Sequence, residues 1–363
     1  MASTLHDVAR LAGVSIKTVS NVIHDYPHIR PATRERVELA IAELGYTPNL
    51  TARSLRSGRT GAIALALPEL GLSYFAELAA AVIEAAEEAG VVVLVEQTGG
   101  DRDRELDLLR SPRLKMTDGL VFSPLGMGQD DVARLEVPYP LVVLGERIFD
   151  GPADHVTMRN VEAARAATDY LIASGRRRVA VIGAHQGDVI GSAGLRLRGY
   201  REALDAAGIP YDESIIGSTT LWHRSNGARC MRELLDRGAE FDAVFGLNDT
   251  LALGAMRALQ EAGRRVPEDV AVIGFDDLDE ARYSIPSLTT VDPGQEWIAR
   301  TAVATLLERI ADPLAAGPPR LLLADYRIVE RESAPAGVAP AGVAPGGVAP
   351  AGVATAAVPT ARG

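Results

Sequence analysis

Residues 4–23 read TLHDVARLAGVSIKTVSNVI and contain the signals for two short helices joined by a tight turn. Thr4 and Asp7 have the spacing of a capping box, in which each side chain satisfies the backbone amide of the other residue at the start of a helix. Gly13 is a typical C-terminal stop for that helix, and Ser15 is a suitable N-cap for the next one. The pattern predicts a helix-turn-helix, although a similar turn between small helices also occurs in many helical bundles.

A third helix is predicted over residues 31–44, because the segment starts with proline and is followed by Gly45 as a C-terminal stop. In a helix-turn-helix the second helix lies in the major groove, and its early residues face the base edges. Ile16, Lys17 and Asn21 are therefore the predicted base-reading residues, suited to a thymine methyl group, a guanine and an adenine respectively. The alternative is that Lys17 and Asn21 belong to a solvated helix face.

Polar and basic side chains around these helices are suited to hold phosphates, which fix the position of a protein on a duplex. The residues predicted for this role are Thr4, Ser15, Thr18, Ser20, Arg34 and Asn49. The charge distribution agrees with DNA contact, because residues 1–60 hold eight Lys or Arg against five Asp or Glu. That segment carries +3, and since the whole chain carries −11, the remainder carries −14. The sequence predicts a basic head on an acidic body that DNA repels.

Residues 49–56, NLTARSLR, predict a separate two-turn helix with Asn49 as its N-cap. Eight residues are too few for a helix that is stable alone in water. Leu55 is apolar, and no local core accounts for it. We therefore expect this segment to fold only against a partner surface.

From residue 61 to about residue 332, apolar runs alternate with helical stretches, which is typical of parallel sheets covered by helices on both faces. The predicted strands are 62–67, 91–96, 119–123, 141–144, 179–182, 243–247 and 270–275. The predicted helices are 75–89, 102–109, 161–173, 196–207, 228–237 and 250–262. This number of strands suits two α/β subdomains better than one wide sheet, and the cleft between subdomains is the expected ligand site.

Composition excludes several other kinds of protein. Cys230 is the only cysteine, so an intramolecular disulfide and a cysteine-based zinc site are excluded, and it is expected to be a buried apolar side chain. No signal peptide or membrane-spanning run is recognised, which predicts a cytoplasmic protein, and no metal or other cofactor is predicted. Residues 334–363 repeat Pro-Ala-Gly-Val-Ala with variations and are expected to be disordered.

Several stretches, in their order and spacing, resemble the lactose-repressor (LacI/GalR) family of transcription regulators. They are residues 7–15 (DVARLAGVS), 18–20 (TVS), 33–37 (TRERV), 44–49 (LGYTPN) and 52–55 (ARSL). The resemblance implies an all-α helix-turn-helix head followed by an α/β core of the periplasmic-binding-protein-like type I fold, with two parallel-sheet subdomains. The function that it implies is a sequence-specific DNA-binding repressor controlled by a small-molecule effector.

The resemblance also implies a division of the chain into domains. The divisions are a DNA-binding domain (1–46), a hinge helix and linker (47–60), an effector-binding domain (61–333) and the disordered tail (334–363). Within the effector-binding domain, the first subdomain is expected at about 61–158 and 292–320. The second is expected at about 160–290 and 321–333.

In the family, the segment that matches residues 49–56 is a hinge helix that folds when two protomers bind operator DNA. Its leucine, matched here by Leu55, inserts between base pairs in the minor groove, where Ala52 and Arg53 are its neighbours. The alternative for Leu55 is packing against the next domain. The resemblance thus implies a homodimer on a palindromic operator in double-stranded DNA.

The effector contacts that the resemblance implies are Tyr74, Phe75, Arg147, Arg196, Trp222, Asn248 and Asp276. Arg196 is expected to open a helix, and Asn248 and Asp276 to end strands, a set that both donates and accepts hydrogen bonds as sugar hydroxyls require. Trp222 matches a position that stacks on a sugar or base, with ordinary packing as the alternative. For Asp276 the alternative is an N-cap of the following helix, although Asp277 is better placed for that role.

Departures from the family's pattern bear on the ligand. Arg159 stands where many members have Asp, and Glu146 precedes Arg147 where Asp is common. Ile190 stands where purine-binding members have an arginine. A neutral sugar is therefore the favoured effector, with a nucleobase or a partner protein as the alternatives. Arg30 also replaces the usual serine cap of the third helix.

Two rival classes of protein are an enzyme and a solute-binding protein. An enzyme is not expected, because no phosphate-binding loop, metalloprotease motif or nucleophile elbow is present, and the histidines His185 and His223 are isolated. A solute-binding protein would share the larger domain, but it needs a signal peptide and has no use for residues 1–58.

Overall fold

A computed structural model describes residues 3–23, 26–46, 59–185, 187, 190–312 and 317–337. They divide into two compact units with the boundary between Gly61 and Ala62, and Met116–Asp118 groups with the smaller one. The expected hinge helix lies outside the described residues, as does the tail beyond residue 337. No helix in the described ranges combines the length and apolar character needed to cross a bilayer.

The N-terminal head consists of three helices, as predicted. They are α1 (Leu5–Ala12), α2 (Ile16–Ile23) and α3 (Pro31–Leu44). Thr4 and Asp7 form the predicted capping box, and Gly13 and Gly45 end their helices in the left-handed conformation. Arg30 is the N-cap of α3 and gives it no side-chain cap. The helices pack around a small apolar core of Val8, Ala9, Ala12, Val19, Val22, Val37, Ala40 and Tyr46.

The first subdomain is built on a six-stranded sheet in which all neighbouring strands run parallel. In chain order its strands are β1 (Ala62–Leu67), β2 (Val92–Gln97), β3 (Leu120–Phe122), β4 (Leu141–Leu144), β5 (Asp154–Met158) and β11 (Leu321–Ala324), and their order in the sheet is β11-β5-β4-β3-β1-β2. Its helices are α4 (Ser73–Glu88), α5 (Arg102–Leu109) and α11 (Gln295–Ala311). Apolar clusters cover both faces of the sheet, which explains its uninterrupted apolar strands.

The second subdomain is a four-stranded parallel sheet in the order β7-β6-β8-β9. Its strands are β6 (Val179–Ala184), β7 (Ile216–Ser218), β8 (Ala243–Gly246) and β9 (Ala271–Ile273). Its helices are α6 (Asn160–Ala173), α7 (Ser192–Ala206), α8 (Arg224–Asp236), α9 (Asp249–Glu261) and α10 (Asp279–Tyr283). Cys230 is buried in α8, as expected, and burial raises the pKa of its thiol.

The chain passes between the subdomains three times, and β10 (Thr290–Asp292) and β12 (Arg327–Val329) form an antiparallel pair along two of these passages. The last passage follows Ala324, because β11 pairs with β5 of the first sheet. The expected boundary, which assigns residues 321–333 to the second subdomain, is therefore wrong by four residues at that point.

The disorder expected for residues 334–363 does not hold for Ala334. This residue is buried, and its carbonyl oxygen accepts a hydrogen bond of 2.6 Å from the Tyr170 hydroxyl. Its amide donates to Thr289 Oγ1 at 3.2 Å. The chain is thus ordered at the start of the repetitive segment 334–363, because Ala334 is buried and hydrogen-bonded to Tyr170 and Thr289.

The seven predicted strands are all present, whereas β5, β7, β10, β11, β12 and the long helix α11 were not predicted. In β5 the reason is chemical, since Asp154 and His155 are buried there and hide the apolar pattern. The Asp154 carboxylate is paired with Arg309 and Arg320, and His155 bonds to a backbone carbonyl. Most of the other missed strands have three residues, too few for a pattern to show.

Candidate functional site

A cavity of about 320 Å³ lies between the two subdomains at the carboxyl ends of their strands. Ligands of open parallel sheets bind at this edge, because the loops from every strand converge there. All seven residues predicted to contact the effector line the cavity. They come from six separate segments of the chain, so the fold and not proximity in the sequence brings them together.

Arg196 is the most buried basic group of the cavity wall, with its side chain 3% exposed. It lies in α7, one turn after Ser192, so the expectation that Arg196 opens the helix is wrong. Its guanidinium carbon lies 3.6 Å from the centroid of the Phe275 ring. Stacking on an aromatic face suits the weakly hydrated guanidinium and holds it in one orientation.

The Arg196 fork is only partly satisfied by the protein. Nε donates to Asn160 Oδ1 at 2.8 Å, and one terminal nitrogen donates to the Leu247 carbonyl oxygen. The other terminal nitrogen donates a weak hydrogen bond to Met158 Sδ at 3.4 Å and lies 3.6 Å from Asp276 Oδ1. Because a guanidinium has five N–H groups and 3.6 Å exceeds a hydrogen bond, donors remain for a ligand oxygen.

Asp276 combines burial with a strained backbone. It has a φ of +118°, which is rare for a residue with a side chain, and its amide donates to the Val291 carbonyl oxygen at 2.8 Å. Burial raises the pKa of Asp276 to about 7, against the lowering effect of Arg196 and with a further increase from Glu146. Strain of this kind persists where the surroundings fix a group for function.

A second buried carboxylate, that of Asp249, lies close enough to Asp276 for the two charges to repel each other. It accepts hydrogen bonds from Thr290 Oγ1 and from the Leu278 amide. Burial and the neighbouring Asp276 raise the pKa of Asp249 well above its ordinary value. The alternative role as helix cap fails for both Asp276 and Asp277, because the N-cap of α10 is Leu278 and has no side-chain cap.

Asn248 is the N-cap of α9, and its Oδ1 accepts from the Leu251 amide at 2.8 Å. Its Nδ2 makes no hydrogen bond within the described part of the chain, and the residue lines the cavity. Capping therefore fixes the side chain and leaves an amide donor for a ligand.

The two subdomains are linked at the cavity by a contact that was not predicted from the sequence. Glu146 follows β4 of the first subdomain and is 7% exposed. Its carboxylate accepts from Asn160 Nδ2 at 2.8 Å and from Ser192 Oγ at 2.7 Å. The only signal in the sequence was the glutamate at a position where aspartate is common, which gave no indication of these partners.

Aromatic side chains form another part of the wall. Trp222 Nε1 donates to the Gly183 carbonyl oxygen at 3.1 Å, which leaves its ring beside the cavity. Tyr74 and Phe75, at the start of α4, meet edge to face with 5.2 Å between ring centroids. Trp222 also packs against two apolar clusters, so this residue both contributes to packing and lines the cavity.

Both isolated histidines also line the cavity. His223 Nε2 lies 3.6 Å from Glu69 Oε2, so it pairs with that carboxylate when protonated. Ser73 Oγ donates to Glu280 Oε2 at 3.1 Å, which is a further contact between the subdomains. In the described ranges no group of three or more His, Cys, Asp or Glu side chains is arranged to hold a metal ion.

The head presents the predicted base-reading residues on α2. Lys17 is exposed, Ile16 and Asn21 are half-buried, and Val19 and Val22 on the other face are buried. Neither the Lys17 nor the Asn21 side chain forms a hydrogen bond among the described residues. The helix thus has one face for the core and one with unused polar groups.

The predicted phosphate-holding residues have local roles in the head. Thr4 Oγ1 caps α1, and Ser15 Oγ accepts from the Thr18 amide at 3.1 Å at the start of α2. Arg34 donates to the Tyr26 carbonyl oxygen at 3.3 Å, and Ser20 is half-buried on α2. The other predicted DNA contacts lie outside the described residues: Asn49, Ala52, Arg53 and Leu55.

Comparison with known proteins assigns both parts of the chain. Residues 4–49 match the bacterial regulatory proteins of the lacI family, and residues 168–334 match the periplasmic binding protein-like domain. The HTH-type transcriptional regulator CelR of Thermobifida fusca is 39% identical over 345 residues, which cover 91% of this chain and 98% of CelR.

Similar solved structures support the same family assignment. A complex of the transcriptional regulator CelR with cellobiose is 35% identical, with a TM-score of 0.68, and covers 91% of this chain and 99% of that one. A lac repressor dimer bound to operator and the anti-inducer ONPF is 29% identical, with a TM-score of 0.78, and covers 93% of this chain and 100% of that one. The chain belongs to the LacI family of transcriptional regulators, with a helix-turn-helix head and a periplasmic-binding-protein-like α/β domain.

Proposed function

We propose that this regulator is a repressor that binds a palindromic operator as a homodimer and is controlled by a neutral sugar in the cavity. The observation that carries the proposal is the buried set of Arg196, Asp276 and Asn248, which offers donors and an acceptor at fixed positions. A sugar hydroxyl both donates and accepts, so it can use such a mixed set fully.

The charge of the cavity favours an uncharged ligand. Its wall holds the guanidinium groups of Arg147 and Arg196 and the carboxylates of Glu69, Glu146 and Asp276. These charges come close to balance, so neither a strongly anionic nor a strongly cationic ligand gains from them. The neutral part of the wall adds aromatic faces, which bind the apolar face of a sugar ring.

The relatives support a disaccharide as the first ligand to test. CelR, which is similar over nearly the whole chain, has been solved with cellobiose. The cavity volume lies at the lower end of the range found for small-molecule sites. Cellobiose is therefore the first probe, and glucose, ribose and hypoxanthine are the comparisons that separate sugar size and a nucleobase.

The proposed homodimer is supported by exposed apolar side chains in the larger unit. Val92, Leu94 and Val95 of the edge strand β2 are 55%, 39% and 37% exposed, and Tyr283 and Ile285 are 78% and 86% exposed. An apolar edge strand is a surface that proteins normally cover. A second copy of the chain, required by a palindromic operator, is the proposed cover.

The test combines binding and assembly. Calorimetric titration of the full chain with the four compounds should give a saturable signal with cellobiose. A palindromic duplex should also be enriched from a random library by the protein. Binding of hypoxanthine alone, or enrichment of no duplex, would contradict the proposal.

The dimer is tested separately by light scattering. The double variant Val92→Asp, Leu94→Asp should be monomeric, whereas Leu321→Asp, a matched control on the opposite edge strand of the same sheet, should remain dimeric. If the wild-type protein and both variants were all monomeric, the proposed dimer would be refuted.

A further inference from the structure

Asp118 holds the chain where it leaves the predicted hinge and linker segment, residues 47–60. One carboxylate oxygen, Oδ1, accepts from the Thr60 amide at 2.6 Å, and the other, Oδ2, accepts from the Gly61 amide at 2.8 Å. The three residues belong to the same compact unit. No motif in the sequence pointed to this contact, since 57 or more residues separate its partners.

The local backbone of Gly61 suits this contact. Its φ is +72°, in the left-handed region that glycine adopts without strain. Successive amides around such a turn form a concave nest that binds an anion. No atom lies within 4 Å of an ideal Cβ at this position, so the glycine is required by conformation and not by space.

The two sides of the contact lead into neighbouring strands. Gly61 is followed at once by β1, and Asp118 precedes β3 by two positions. The strands are hydrogen-bonded in register, with Ala64 opposite Leu120. Each strand has its carboxyl end at the cavity, where Glu69 follows β1 and Ser123 follows β3. One buried strand pair therefore has the linker contact at its start and the ligand wall at its end.

We propose that the Asp118 carboxylate is a positioning group that anchors the end of the hinge segment to β1 and β3, so that ligand binding at the far ends of these strands reaches the DNA-binding segment. This inference rests on the proposed function. It assigns to Asp118 neither a DNA contact nor a ligand contact, but control of the coupling between the two.

The chemistry of the contact explains why a carboxylate is needed. An ionised carboxylate accepts two amide N–H groups through charge-assisted hydrogen bonds. An asparagine has the same shape, but its amide nitrogen cannot accept, so one of the two backbone amides loses its partner. The linker end is then released, and operator binding has to order it again.

The experiment compares Asp118→Asn with Asp130→Asn in the full chain. Asp130 is exposed in the larger unit and accepts no side-chain hydrogen bond among the described residues, so its variant has the same change of charge without loss of an anchor. Amide hydrogen exchange at Thr60 and Gly61 reports the anchor itself. Titration with a palindromic duplex selected by the wild-type protein, with and without cellobiose, reports its effect.

In Asp118→Asn we expect faster exchange at both amides. We also expect about tenfold weaker duplex binding, because the free-energy cost of ordering one backbone residue corresponds to about a tenfold change in affinity. We also expect a smaller ratio between the duplex affinities with and without cellobiose. Cellobiose affinity and the thermal unfolding midpoint should stay at the wild-type values, since the cavity wall and the core are untouched.

The proposal is overturned if both variants match the wild type in amide exchange and in duplex affinity. It is also overturned if Asp118→Asn lowers only the unfolding midpoint, because the contact would then be merely structural. Failure of the wild-type protein to select any duplex would refute the proposed function itself. The exchange comparison still reports the anchor in that case, so the two failures are distinguishable.

Discussion

The proposed ligand cavity and the proposed DNA-reading face of α2 use similar residue types in opposite ways. In the cavity, Arg196 and Asp276 are 3% and 5% exposed, and protein contacts fix their positions before any ligand arrives. On α2, Lys17 is exposed and has no side-chain partner among the described residues. The cavity groups are therefore preorganised at a cost in burial and strain, whereas no protein contact among the described residues holds the Lys17 side chain in one position.

This contrast predicts different consequences of mutation. Replacing a cavity residue should disturb neighbouring buried groups as well as ligand binding, because these buried groups are hydrogen-bond partners of one another. Replacing a residue on the reading face should change operator binding and leave the fold alone.

Arg196→Met should weaken cellobiose binding about a hundredfold or more, since charge-assisted hydrogen bonds to a ligand are lost. Methionine fills the space beside Phe275 and Met158 without a charge. Loss of the guanidinium raises the pKa of Asp276 further, so that carboxyl becomes neutral and the fold persists. Calorimetry checks the prediction, with Arg198→Met, an exposed position on the same helix, as control. Equal affinities in the two variants would contradict it.

Lys17→Ala should reduce discrimination at one base position of each half-site by about 1–3 kcal/mol, the value of a good base contact. The thermal unfolding midpoint should not change, because Lys17 contributes nothing to the core of the head. Duplex selection with the variant, compared with Lys115→Ala in the larger unit, measures the effect. An unaltered consensus would show that Lys17 belongs to a solvated face.

Asp276→Asn should remove a dependence of cellobiose affinity on pH. A hydroxyl donates best to the ionised carboxylate, and since the pKa of Asp276 is raised to about 7, wild-type affinity should rise about tenfold between pH 6 and pH 8. Calorimetry at the two pH values should give nearly equal affinities for the variant. A wild-type affinity that is constant or falls over this interval would contradict the assigned role.

The same raised pKa has a consequence for stability. Because folded Asp276 binds its proton more tightly than the unfolded chain does, its contribution to the free energy of unfolding decreases as pH rises from about 4 to about 7. Above that interval the contribution is constant. The asparagine variant should lack this trend in thermal melts.

Trp222→Leu should weaken cellobiose binding by about fivefold to tenfold, in line with the value of one aromatic contact. Leucine retains much of the apolar contact with the cores but loses the flat ring and the hydrogen bond to Gly183. Phe241→Leu, a partly buried aromatic away from the cavity wall, is the control for packing alone. An equal affinity in both variants would assign Trp222 to packing.

The sequence was sufficient for those features that rest on local chemistry. The capping box at Thr4, the glycine stops of α1 and α3, and the long apolar strands such as β1 follow from nearest neighbours along the chain. The seven predicted effector contacts also gather at one cavity, because parallel strands bring their carboxyl ends to one edge.

Features that rest on distant partners were not predictable from the sequence. The strand β5 is hidden by buried Asp154, whose arginine partners lie 155 and 166 positions away. Glu146 joins the subdomains through hydrogen bonds from Asn160 and Ser192, and no local sequence pattern predicts these hydrogen bonds. These features depend on side-chain pairs that are distant in the sequence, and the residue types alone do not show which side chains will pair.

The most direct test is operator affinity as a function of cellobiose concentration, measured in parallel for the wild-type protein and Arg196→Met. We predict that cellobiose changes the operator affinity of the wild type by about tenfold, a typical allosteric coupling. Arg196→Met should bind the same duplex equally well without sugar and should not respond to it. An operator affinity that responds equally in both proteins, or in neither, would contradict control of the head by the cavity.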